Sequence, residues 1–215
     1  VASRMSLGMP ESTSSTAAAC CNQPCTLTCP ADMTLDPDSG SCGAVVDYTV
    51  GVSGTCGIVN TVPPSGSTFP IGTTPVTSTG TTMGGSITTC GFDVTVNQIA
   101  TVSSVMPLPN PQQYSDPVTF TATIDPGLCD STPAATSVTF YVGSQSMGTV
   151  PLVPVGGMLQ GTLIAPLEEP LPYGTAPTGQ MAPGVHTVTA QFGGINPDFI
   201  VSGATTPLTI TQEDA

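Results

Sequence analysis

From Thr26 onward, short runs rich in Val, Ile, Thr and aromatic residues alternate with clusters of Gly, Pro, Asp and Ser, a new run beginning about every eight to twelve residues. This spacing predicts an all-β chain. The expected strands are Ala44–Val50, Gly57–Val62, Pro75–Thr79, Ile87–Val96, Val118–Ile124, Ser137–Val142, Met147–Val153, Met158–Ala165, Val185–Phe192 and Pro207–Thr211. In "HTVTAQF", Val188, Ala190 and Phe192 share one face and Thr187, Thr189 and Gln191 the other. In "VTFTATI" the same alternation points Val118, Phe120, Ala122 and Ile124 inward. A slip of one residue would exchange that set for threonines, so the register is well specified. No segment carries the pattern of a capped amphipathic helix.

Residues 1–25 show neither strand nor helix periodicity and are dominated by Ser, Thr and Ala, which predicts an extended tail. Within it Met5, Leu7 and Met9 alternate as strand residues do, and are candidates for pairing with an exposed sheet edge of another copy. One strand series closes at Cys90–Val96 and the next opens at Thr101, so the domain boundary is expected near Asn97–Gln98. The chain is thus expected to divide into a tail (1–25) and two tandem β-sandwiches (26–97 and 98–215), strung end to end.

Composition narrows the functions open to such a chain. Its 215 residues are 39% hydrophobic, enough to fill a core, yet only 7% are charged, leaving a surface built from Ser, Thr, Gly, Pro and Gln. The formal net charge is −13, Lys is absent and Arg4 is the only strong cation. Phosphate backbones would be repelled, so nucleic acid is not an expected partner. Absence of Lys also removes Schiff-base chemistry and Lys-Asn isopeptide staples. The chain starts at Val1 and contains no run of 18 apolar residues, and it is expected to be a processed chain without a membrane span. Eight cysteines in this composition point to an oxidising, extracellular or cell-surface location. No Asn-x-Ser/Thr acceptor occurs, which leaves Ser/Thr-linked sugars as the glycans open to it.

Two family resemblances follow from particular segments. "CPADMTLDPDSGSCGAVVDYTV", "PPSGSTFPIGTTPVT" and "CGFDVTV", between Cys29 and Val96, together resemble the hyalin-repeat (HYR) domain, an extracellular adhesive or spacer module. Ser53-Gly54-Thr55-Cys56 stands where that family usually has an Asp-Asn pair. "PNPQQYSDPVTFTATI", "SVTFYVGSQSMGTVPL" and "PGVHTVTAQFGG", within 100–212, resemble a bacterial Ig-like repeat, and the two resemblances together imply that the chain is two tandem immunoglobulin-like β-sandwiches. The HYR resemblance pairs Cys29 with Cys90, and Cys42 and Cys56, the other two cysteines of that domain, are expected to form its second bridge. Cys20, Cys21 and Cys25 then remain in the tail, with Cys129 in the second domain. The nine residues from Cys20 to Cys29 span at most about 32 Å, roughly the length of one sandwich. A tail cysteine is therefore expected to reach Cys129 in a neighbouring copy rather than in its own chain.

No set of residues spells out catalysis or a cofactor site. Cys21-x₃-Cys25-x₃-Cys29 lacks the second pair or His knuckle of a structural zinc site, and no Cys-x-x-Cys redox pair is present. His186, the only histidine, has no recognisable nucleophile and orienting acid around it. Asp32, Asp36, Asp38 and Asp47 fall short of a calcium loop, and Glu168-Glu169 lie in a Pro-rich loop rather than facing each other across a cleft. The expected function is that of a non-enzymatic extracellular subunit that assembles head to tail with itself, without cofactor or metal. The alternatives are an adhesin or stalk module, or an accessory module of a secreted hydrolase.

Overall fold

The computed structural model describes residues 23–82, 84–113, 116–166 and 183–212. Among these no helix occurs, and the strands run in order as β1 (Thr26–Thr28), β2 (Met33–Leu35), β3 (Gly43–Val46), β4 (Gly51–Ser53), β5 (Ile58–Val62), β6 (Ser67–Pro70), β7 (Gly72–Thr81) and β8 (Ile87–Val96). They continue as β9 (Ile99–Ala100), β10 (Val102–Leu108), β11 (Gln112–Gln113), β12 (Pro117–Asp125), β13 (Leu128–Cys129), β14 (Thr132–Pro133) and β15 (Ser137–Val142). The last are β16 (Gln145–Pro151), β17 (Val153–Val155), β18 (Met158–Pro166), β19 (Gly184–Gly193), β20 (Phe199–Ile200) and β21 (Ala204–Thr211).

Beside the small pairs β13-β14 and β9-β20, the later strands form two main sheets, ordered β10-β12-β18-β17 and β11-β21-β19-β15-β16. Taken in chain order, this is the A-B-E-D and A′-G-F-C-C′ wiring of an immunoglobulin sandwich. Among the earlier strands β1 pairs with β4, β3 pairs with β6, and β2-β8-β7-β5 form a four-stranded sheet. No C′ or D strand follows β5, so β5 is an edge strand among the described residues. The fold is all-β and immunoglobulin-like.

The chain divides into two compact units: 1–33, 46–67 and 74–94 in the first, and 34–45, 68–73 and 95–215 in the second. The expected boundary at Asn97–Gln98 lies inside the second unit, and the segment around it is part of the fold. Ile99 N donates to the Asp198 carbonyl at 2.8 Å, and β9 pairs in parallel with β20. Backbone polar groups here would be orphaned in a bare connection, and strand pairing satisfies them.

In the first unit, Thr26–Thr28 pairs antiparallel with Ser53–Gly51, and Ile58–Val62 with Thr81–Thr77. Leu27, Val46, Val76, Phe92 and Val94 are buried, and Tyr48 meets Phe92 edge to face with ring centroids 5.0 Å apart. Gly54 turns at φ +78°, and a Cβ there would sit 2.0 Å from the Pro24 carbonyl oxygen, so no other residue fits the turn.

The second unit holds the larger core. The alternation read from "VTFTATI" is realised: Val118, Phe120, Ala122 and Ile124 are fully buried, facing Val138, Phe140, Val188, Ala190, Leu208 and Ile210. Phe120 and Phe140 stack at 5.7 Å across the two sheets. At Gly161 a Cβ would come within 2.5 Å of Val138 Cγ1, so glycine sets how closely the sheets approach there.

Candidate functional site

A dense set of non-repetitive interactions lies in the second unit, where two loops are clamped together. One is Asp36–Cys42, between β2 and β3. Its Asp38 shapes the turn: Asp38 N donates to the Gly43 carbonyl, Ser41 N to the Asp38 carbonyl, and Val45 N to Asp38 Oδ2 at 2.9 Å. The other is Pro126–Ser131, where Asp130 (φ 45°) and Ser131 (φ 68°) adopt left-handed conformations that only Gly, Asn and Asp reach at little cost. Asp130 N donates to the Gly40 carbonyl at 2.9 Å, while its Oδ2 accepts from Cys42 N at 2.8 Å and Ser41 Oγ at 3.1 Å. A disulfide between Cys42 and Cys129 completes the clamp, with Cα atoms 5.1 Å apart and Cys129 almost wholly buried. Beside it a cleft of about 210 Å³ is lined by Pro37–Ser41, Ile99, Pro126, Leu128 and Cys129.

The bonds of the clamp tie its two loops together. The Asp130 carboxylate is engaged by two donors, the sulfurs are bonded to each other, and the cleft is lined by the hydroxyls of Ser39 and Ser41 and the carboxylate of Asp38, with no imidazole among its lining residues.

This clamp corrects the expected cysteine pairing. Cys29 is bridged to Cys90, but Cys42 is joined to Cys129 and not to Cys56, and Cys56 is joined to Cys25. Strand register explains the second change: Thr26 lies opposite Ser53, which carries Cys25 to the turn after β4 and brings its Cα within 4.8 Å of Cys56. Cys25 is therefore part of the fold, not of a free tail, and Cys129 is not available to a tail cysteine of another copy. Counting Cys42 as already paired within its own sandwich made Cys129 look unpartnered. Cys20, Cys21, Met5, Leu7 and Met9 lie outside the described residues, as do Glu168 and Glu169.

The four aspartates weighed as calcium ligands go to different places. Asp32 Oδ1 accepts from Asp93 N at 2.9 Å, Asp36 Oδ1 from Asn97 Nδ2 at 2.8 Å, Asp38 holds its own turn, and Asp47 is exposed. Among the described residues no three His, Cys, Asp or Glu converge as metal ligands would. His186 is half-buried on β19 opposite Leu208. Burial raises the Tyr48 phenol above its ordinary value of 10.0, and its hydroxyl donates to the Pro63 carbonyl. Asp130 was missed from the sequence. Its one signal was the turn-like "DPGLCDST" around a cysteine, which says nothing of which loop it would meet.

The surface chemistry that remains is at edges and faces. In the first unit β5, "IVNTV", exposes Ile58 (75%), Val59 (36%) and Val62 (59%), and its far edge has no strand neighbour among the described residues.

No family model matches the chain, and no curated protein matches it. Among solved structures it resembles the fibronectin(III)-like modules of Clostridium thermocellum CbhA at 12% identity, covering 88% of this chain and 95% of that one, with a TM-score of 0.31. It also resembles titin domains Z1Z2 in complex with telethonin at 15% identity, over 89% of this chain and 98% of that one, with a TM-score of 0.42. A third is PcdhgB3 EC1-4, at 12% identity over 89% and 50% of the respective chains, with a TM-score of 0.27. At these scores the likeness says nothing about binding or activity.

Proposed function

We propose that this chain is a non-enzymatic extracellular subunit that assembles with itself by strand addition, its hyalin-repeat-like part (about 29–96) receiving a strand and its Ig-like part (98–215) acting as a rigid body. A disulfide-braced, immunoglobulin-like chain fits an extracellular structural or adhesive module. The observation that carries the finer reading is β5. An edge strand with apolar residues on both faces, no proline and no charge is the kind of template that natural sandwiches normally blunt. Here it is left open, and the chain carries a segment with matching alternation, Met5, Leu7 and Met9, in its first residues. Backbone hydrogen bonds to β5 would supply affinity, and alternate side chains specificity.

The covalent lock moves accordingly. Six of the eight cysteines are bridged, leaving Cys20 and Cys21. Adjacent Cα atoms are held about 3.8 Å apart by a trans peptide, closer than the roughly 4.4–6.8 Å an ordinary disulfide spans. The two residues are thus poor partners for each other and good ones for a second copy.

Negative-stain electron microscopy and non-reducing electrophoresis of the full-length protein test this. Fibres and a multimer ladder that collapses on reduction are expected, with the ladder lost in Cys20→Ser/Cys21→Ser and the fibres lost in Asn60→Pro. Isolated rods, with Asn60→Pro indistinguishable from the parent, would overturn strand addition in favour of a stalk module.

A further inference from the structure

We infer that the outer face of the sheet β10-β12-β18-β17 is a lateral contact surface whose occupant is the same face of a second copy. The registers place its residues in rows: Leu108, Thr119 and Ile164; Met106, Thr121 and Thr162; Ser104, Thr123, Gln160 and Val153. Val102 and Val155 extend it at the end where Asp125 sits. Six large apolar residues are strongly exposed on this one face: Val102 (74%), Ile164 (68%), Met106 (57%), Leu108 (54%), Val153 (52%) and Val155 (43%). The rest is mostly threonine. Scattered apolar residues on a surface need no account, but six on one face, drawn from β10, β18 and β17 and separated mainly by the threonines of β12 and β18, do.

The edges of this sheet point to the face as the route of contact. Pro107 interrupts the donors of edge strand β10, and Pro154 those of edge strand β17. Prolines on both edges disfavour in-plane strand addition, whereas β5 carries none. A partner meeting this sheet therefore lies on it and does not extend it.

Charge selects the occupant. Two copies each carrying −13 repel, so they approach best through a surface nearly free of carboxylates. Asp125 is the one charged residue on this face among the described strands, and it is at a corner. A basic partner would find almost nothing here to pair with. A second copy finds a surface whose one carboxylate sits at a corner, which a two-fold axis can bury against itself at the usual aligned angle of packed, twisted sheets.

Area sets the strength. Seven residues of strand by four strands make a patch about 24 Å by 19 Å, roughly 400 Å² once the short β17 is allowed for. That is about half of what one partner contributes to a standard stable interface. The contact is thus weak in one pair and becomes strong only when repeated along an assembly.

The inference is independent of strand addition at β5, and the test keeps the two apart. Full-length protein is exposed to dilute hydrogen peroxide across a range of concentrations, and sulfoxide formation at Met106 is read by mass spectrometry beside sedimentation velocity. The expected result is that Met106 oxidation slows several-fold as concentration rises, and more so at high salt, because screening relieves the repulsion between copies. In Met106→Asp/Ile164→Asp, both sites exposed on the native fold, lateral association weakens by about 100-fold or more through like-charge contact. The same variant keeps the end-to-end ladder of the parent. Oxidation of Met106 at one rate at every concentration, or association unchanged in the double variant, would overturn the inference and leave the face to another occupant. Association that weakens with added salt would overturn it too, since that marks a charge-paired contact.

Discussion

Removing the Cys42–Cys129 bridge in a Cys42→Ala/Cys129→Ala variant is expected to destabilise the second unit by about 4 kcal/mol at 25 °C. The bridge joins residues 87 apart in sequence. The Cys29–Cys90 bridge shortens the unfolded path between them, because the chain can be traced from Cys42 back to Cys29, across to Cys90 and on to Cys129, about 52 residues in all. The loop-closure entropy for 52 or 87 residues differs by only about half a kilocalorie, since it grows with the logarithm of length. Alanine, not serine, is the right replacement at Cys129, where a hydroxyl would be buried without a partner. The Asp130 bonds to Cys42 N and Ser41 Oγ use no atom that the substitutions remove, so the difference reads the covalent link together with the burial of the two sulfurs. With no Trp in the chain, unfolding is best followed in guanidinium by far-ultraviolet circular dichroism, under oxidising conditions with the other two bridges confirmed by peptide mapping. The midpoint should fall, and a thermal scan should drop by about 8–16 °C. A loss below about 1 kcal/mol would refute the reasoning, and would mean that residues 34–45 are held in the second unit by packing rather than by connectivity.

Three further outcomes follow. Phe120→Ala, in the middle of the second core against Phe140, should cost about 3–5 kcal/mol in the same assay, whereas a cost near zero would mean that the two sheets re-pack freely. Asp130→Ala removes a carboxylate that accepts from Cys42 N and Ser41 Oγ and places alanine at φ 45°, so a loss of about 1–3 kcal/mol is expected with all three bridges retained. The fold holds the neutral form of Tyr48, so its contribution is full below pH 10.0 and is lost as pH rises through the raised folded value; alkaline titration of stability should show this decline in the parent and not in Tyr48→Phe.

What the sequence determined by itself is everything that depends on neighbours along the strand. The alternation specified which side each residue of Val118–Ile124 and Val185–Phe192 faces, with Val118, Phe120, Ala122, Ile124, Val188 and Ala190 buried and Phe192 half-buried, because a pleated strand sends successive side chains to opposite sides whatever surrounds it. Long, regular strands such as Ile87–Val96 and Ser137–Val142 were legible to the residue. Short ones were not: Thr26–Thr28, Met33–Leu35, Gly51–Ser53 and Ser67–Pro70 carry too few alternations to stand out. Val102–Leu108 was hidden by its serines and by Pro107, which an edge position tolerates and a central one would not. Tertiary structure alone decided which loops meet. Cys42 and Cys129 are 87 residues apart, and nothing local to either distinguishes the partner it has from Cys56 or a tail cysteine. Asp130 became a clamp because its loop faces Gly40–Cys42, and Asp36 and Asp38 became turn and side-chain acceptors instead of ligands for the same reason. The edge of β5, which has no strand neighbour among the described residues, and the exposed outer face of β10-β12-β18-β17 belong to the same class. Each apolar residue there reads in sequence as a core candidate, and only the pairing of strands shows which side of the sheet it faces and whether anything covers it.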